Sequence, residues 1–132
     1  MKLIEEIHLP NGLTLKVWDR SRAIAVDTTK VEILLQVEVL LKEEYFDQPN
    51  QCEKTRQAFG PAPCFEYYLE RAFVPSNQKD DVVRELLDGF SNNVLSYVSK
   101  KDFPEQFARS RWRAILKNPY KYGGADNHAH DP

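Results

Sequence analysis

The sequence predicts an α+β fold: a four-stranded antiparallel sheet with helices packed on one face, in the order β-β-β-α-β-α-α. Three observations carry this expectation. Two segments alternate apolar and polar residues with a period of two, as half-buried strands do. Asn11-Gly12 lies between alternating runs, a strong short-range hairpin signal. Near the C-terminus, two long segments repeat their apolar residues at helical spacing.

The first two strands fall at residues 2–9 and 13–19. Leu3, Ile7 and Leu9 lie close to a period of two, and Leu13, Leu15 and Val17 keep it strictly. In "VEILLQVEV", Val31, Ile33, Leu35, Val37 and Val39 form one apolar face, and Glu32, Leu34, Gln36 and Glu38 form a mostly polar one. That pattern fits a sheet with one face on a core and one in water. "QPNQCEKTRQAFGP" reads as a short helix, with Asn50 as cap, Glu53 in capping-box position and Gly60-Pro61 as terminator. The fourth strand is "CFEYYLERAFV", where Phe65, Tyr67, Leu69 and Phe73 are expected to share a face and Arg71 to sit at the sheet margin.

Two helices follow. Val83, Leu86, Leu87, Phe90, Val94, Tyr97 and Val98 recur at helical spacing, with Asp80 and Asp81 at the positive end of the dipole. "DFPEQFARSRWRAILK" opens on an Asp102 cap, with Pro104 in the first turn and Glu105 completing the box. After Lys117 periodicity is lost. Residues 1–118 therefore read as one α+β domain and residues 119–132 as a mobile tail.

Composition narrows the functional classes. The 132 residues suit one domain, and 42% hydrophobic with 29% charged residues is a globular balance. No window approaches the roughly 20 apolar residues of a membrane span, so no membrane partner is expected. Glu5 and Glu6 stand where a signal peptide needs its apolar run, which points to the cytoplasm. Cys52 and Cys64 are too few and too far apart for a zinc site and read as free thiols.

The net charge is −2, yet residues 104–122 hold five bases and one acid. Within the helix that carries them, Arg109, Arg113 and Lys117 recur every four residues, and Trp112 and Tyr120 are near enough to stack a base. This makes anion or nucleic-acid binding through the basic C-terminal helix one candidate function. Trp18, Asp19, Arg20 and Arg22 form a second cluster, at what reads as a strand exit. Two guanidiniums there could clamp a phosphate or carboxylate against the indole.

Asp126, His128, His130 and Asp131 are possible metal donors only by residue type, because a Gly-Gly-led tail offers no second shell. No cofactor and no metal site are expected. Catalysis has little local support: the glycines are scattered, neither cysteine has a histidine neighbour, and no serine sits in a nucleophile elbow. The leading expectation is a non-catalytic protein-interaction module, with a protein partner or self-association such as a homodimer. Its motivation is the set of aromatics outside the core stripes, Trp18, Tyr45, Phe46 and Tyr68. A small enzyme, with Asp19, Arg20, Arg22 and Arg71 around the sheet margin, is the remaining alternative.

Overall fold

The computed structural model describes residues 1–91 and 93–122. The described residues form five strands: β1 (Lys2–His8), β2 (Thr14–Asp19), β3 (Arg22–Ala25), β4 (Thr28–Glu38) and β5 (Cys64–Pro75). The helices are α1 (Pro49–Phe59), α2 (Lys79–Ser91), α3 (Val94–Val98), α4 (Phe103–Lys117) and α5 (Pro119–Tyr122). The described residues divide into two compact units, Met1–Val37 with Phe65–Lys101, and Glu38–Cys64 with residues 102–122. The chain crosses between them three times. Neither unit is a continuous stretch, which is why no shift of composition marks a boundary.

The first unit holds nearly all of the antiparallel sheet. β1 pairs with β2 and β2 with β4, while β5 pairs with β4. β3 is a strand that the sequence pattern does not announce, because all four of its residues are exposed. It continues β2 rather than opening a new edge. Asp19 faces Ile33 and Arg22 faces Lys30, so the register is unchanged across Arg20-Ser21. Three residues cannot reach around β4 to its other side. The Arg20 N–H still donates to Glu32 O (2.8 Å), and the Ser21 hydroxyl accepts from the Glu32 N–H (3.1 Å) in place of a backbone carbonyl. What reads in sequence as a strand exit is an interruption inside one long hairpin.

The first turn is a three-residue loop. Leu9 and Leu13 close it (2.8 Å), and Gly12 adopts φ +89°, the left-handed geometry for which glycine is favoured there. The Asn11 side chain accepts from the Leu13 N–H and donates to the carbonyls of Val98 and Lys100, both at 2.8 Å. It thereby satisfies carbonyls at the end of α3 that lack helical partners.

Alternation sorts the sheet into two faces. Leu15, Val17, Val31, Ile33, Leu35 and Val37 are all fully buried on the inner face. There α2 brings Val82, Val83 and Leu86 against Val31 and Val74, and Phe65 meets Tyr97 of α3 with ring centroids 5.9 Å apart. β5 departs from its expected pattern. Phe73 takes φ +57° and is 79% exposed, while Val74 is buried. The left-handed residue shifts the alternation by one position and hands the core site to Val74. Arg71 pairs with Glu85 at 3.2 Å.

In the second unit, α1 begins after Gln48 with Pro49 in its first turn, so Gln48 rather than Asn50 is the cap residue. The Asn50 carboxamide is already inside the first turn, where proline fixes the entry. Leu41, Phe46, Cys52 and Ala108 form the core, with Tyr45 and Trp112 packed against it. Neither cysteine is in a disulfide. Burial pushes the Cys52 thiol pKa up, with Glu43 and Glu53 adding to the shift and Arg56 opposing it. A turn of helix over Pro119–Tyr122 occupies the start of the segment expected to be a tail, and Tyr122 packs on Phe59 with centroids 4.9 Å apart. Residues 123–132, with Asp126, His128, His130 and Asp131, lie outside the described residues. No helix among the described residues is long and apolar enough to cross a membrane.

Two outcomes follow from this packing. Phe73→Gly removes left-handed strain from an exposed side chain and should raise stability by about 1 kcal/mol, whereas Val74→Ala should lower it by about 2 kcal/mol; urea unfolding of both variants checks the pair. In the native protein a thiol reagent should label Cys64 well before Cys52, and the two should react alike in denaturant, as read by mass spectrometry after a labelling time course.

Candidate functional site

The outer face of the sheet carries a connected set of polar and aromatic side chains. Its residues are the polar members of the alternation, aligned by strand register. Leu3 faces Trp18, and Trp18 faces Leu34. Tyr68 of β5 approaches the same row through Arg20. The result is a row of apolar and aromatic groups, Leu3, Trp18, Leu34 and Tyr68, crossing neighbouring strands. Leu34 is buried within it, and Leu3 and Tyr68 are exposed.

Hydrogen bonds fix the orientation of this row. Trp18 Nε1 donates to Gln36 Oε1 (3.1 Å), and Gln36 Nε2 donates to Glu66 Oε2 (3.3 Å). Arg20 Nη1 donates to the Tyr68 hydroxyl (3.2 Å), with its guanidinium 5.6 Å from the centre of the Tyr68 ring. Cation and ring hold each other in place at a partly exposed site.

Charges on this face are internally matched. Glu32, buried in the middle of it, receives Arg22 at 3.3 Å, Arg20 at 3.8 Å and Lys30 at 3.9 Å. Lys30 also reaches Glu70 at 3.4 Å, and Lys16 stands opposite Glu6. A shallow depression of about 570 Å³ is lined by Met1, Arg20, Arg22, Gln36, Glu66 and Tyr68, among others.

Asp19 belongs elsewhere. It lies on the inner face, accepts from the Ser21 N–H (2.8 Å) and pairs with Lys79 of α2 (3.1 Å). Burial pushes its carboxyl pKa up, but hydrogen bonds from Ser21 and the Lys79 ammonium outweigh that effect and leave it lowered. Arg71 also turns away from the outer face, toward Glu85 of α2. The structure therefore brings Trp18, Arg20 and Arg22 together and separates Asp19 and Arg71 from them.

Comparison with protein-family models, curated proteins and solved structures finds no match.

The residues expected on the basic helix also divide. Arg109 is occupied by Asp47 (3.0 Å) and Glu105 (3.7 Å). Trp112 packs against the core of the second unit rather than presenting a ring for stacking. Arg113 and Lys117 are exposed and have no ion pair among the described residues. Of the four aromatics that suggest an interface, Phe46 is buried and Tyr45 packs on the same core, while Trp18 and Tyr68 lie on the outer sheet face, on strands either side of β4. Glu32, Gln36 and Glu66 escape attention in the sequence because each is simply the polar member of a strand. Only the cross-strand register reveals that they surround Trp18 and Arg20. Among the described residues, no cluster of three or more His, Cys, Asp or Glu side chains could hold a metal ion.

The lowered Asp19 pKa gives a pH prediction with a definite sign. A carboxyl whose folded pKa lies below its ordinary value of 3.8 adds stability above that value and loses it as pH falls through the folded pKa. Wild type should therefore exceed Asp19→Asn in stability at neutral pH, and the gap should close below about pH 4. Thermal unfolding of both proteins across the acid range measures it.

Proposed function

We propose that this chain is a non-catalytic protein-interaction module and that the outer face of its sheet is the contact surface. The observation that carries this reading is the row Leu3, Trp18, Leu34 and Tyr68, flanked by arginines and glutamates that already neutralise one another. Aromatic and arginine side chains are enriched at interface centres, where they supply contact area and oriented hydrogen bonds. Matched charges give little long-range attraction for a polyanion, so the face suits a partner that is itself mixed, with an apolar anchor and polar surroundings. Trp18 and Tyr68 are held by Gln36 and Arg20, and such preorganisation lowers the entropy lost on docking. Two cysteines outside any disulfide are consistent with a reducing, cytoplasmic setting.

The alternatives have weaker support. Nucleic-acid binding through α4 keeps exposed Arg113, Lys117 and Tyr120 but loses Arg109 to carboxylates and Trp112 to the core. The enzyme alternative draws on Asp19, Arg20, Arg22 and Arg71, which lie on two faces of the sheet.

A photo-reactive benzoylphenylalanine in place of Tyr68 tests the proposal in living cells. The expected outcome is a covalent adduct with a distinct protein, at least halved in yield when Trp18→Ala is combined with it. A nuclease-sensitive adduct, or a yield no greater than from the probe at exposed Gln57 of α1, overturns the reading.

A further inference from the structure

Two surfaces remain outside that reading, one on each unit, and their chemistries are complementary. The first is a groove of about 460 Å³ between β1 and α2. Ile7, Val83 and Leu87 give it an apolar floor, and Glu5, Asp80 and Asp88 stand on its rim with Arg84 as the lone cation. Three carboxylates against one guanidinium leave it two charges negative. None of the four has an ion pair among the described residues, in contrast to the matched charges of the outer sheet face. Asp88 is also poorly placed for its own helix. It lies in the last turn of α2, which contains no basic residue, so its charge adds to the negative end of the dipole.

The second surface is the solvent side of α4. Arg113, Leu116 and Lys117 occupy positions i, i+3 and i+4, so they are neighbours on one helix face. Leu116 is 59% exposed between the two uncommitted cations. Tyr120, on α5, is 90% exposed beyond them. An apolar anchor flanked by two positive charges is the complement of an apolar floor flanked by carboxylates. It is also the side-chain arrangement with which a helix docks into a groove.

We propose that the occupant of the groove is a second copy of this chain, which inserts Leu116 over Ile7, Val83 and Leu87 and sets Arg113 and Lys117 against the carboxylate rim. The groove takes side chains, not a whole helix, so α4 lies along its mouth. The contact joins two different patches, and each copy carries both. Association of this kind is head to tail. It uses neither Trp18 nor Tyr68 and so stands or falls separately from the proposed partner surface on the sheet.

Sedimentation velocity on the full chain tests this, from about 10 to about 500 μM protein and at about 0.05 and 0.5 M NaCl, where the Debye length shrinks several-fold. The expected result is concentration-dependent self-association that weakens at high salt. Asp80→Lys with Asp88→Lys, and separately Arg113→Glu with Lys117→Glu, should each weaken it by about tenfold or more. An equimolar mixture of the two double variants should associate again, because each supplies the surface the other lacks. Leu116→Ala, at an exposed position that keeps the helix, should weaken association without altering circular dichroism, which preserves the test if a charge reversal misfolds. A wild-type chain that stays monomeric throughout overturns the proposal. So does association that survives both reversals, or that fails to return on mixing.

Discussion

Burial of one face of β4 is the constraint on which the first unit depends. Val31, Ile33, Leu35 and Val37 alternate without interruption and are all inaccessible to solvent. Full burial of such aliphatic side chains contributes on the order of 2 kcal/mol each, and a one-residue slip would move every one of them to the outer face. The register of β4 is therefore fixed. Its partners inherit that register: β2 and β3 along one edge and β5 along the other.

A fixed register has a second consequence on the opposite face. When Val17 must meet Leu35 and Asp19 must meet Ile33, Trp18 is obliged to meet Leu34. The arginines at positions 20 and 22 then fall beside Glu32 without any further specification, and Tyr68 completes the group. The Ser21 hydroxyl, substituting for a carbonyl at Glu32, lets the hairpin continue through the break. The surface proposed for partner binding is thus a by-product of core alternation, decorated with residues that neutralise each other. Interaction surfaces assembled on strands are well held, because a strand in a packed sheet has little freedom to move the side chains it presents.

Where the molecule departs from regularity, the cause is local and identifiable. Gly12 and Phe73 both take positive φ, but at Gly12 the turn favours it and at Phe73 nothing about the side chain does. A phenylalanine in that region costs about 1–2 kcal/mol. Val74 takes the core position that a regular strand would have given to Phe73. The left-handed residue and the apolar residue after it are two parts of one arrangement.

The sequence by itself determined the α+β class, the apolar face of β4, the Asn11-Gly12 turn, α4, and a helical segment that the structure divides into α2 and α3, because these follow from periodicity, turn chemistry and dipole preference within a few residues. It placed Trp18, Arg20 and Arg22 near one another, as neighbours on one chain must be. The tertiary structure decided the rest. β3 carries no apolar period, since a strand exposed along its whole length has no buried face to write into the sequence. Asp19 and Arg71 leave the expected cluster because a strand alternates its side chains between faces. Trp112 is drawn into a core formed with Leu41, Phe46 and Cys52, more than forty residues earlier in the chain, and Arg109 is claimed by Asp47. Contacts between residues so far apart leave no local signature, and they divide the basic helix into spent charges and free ones.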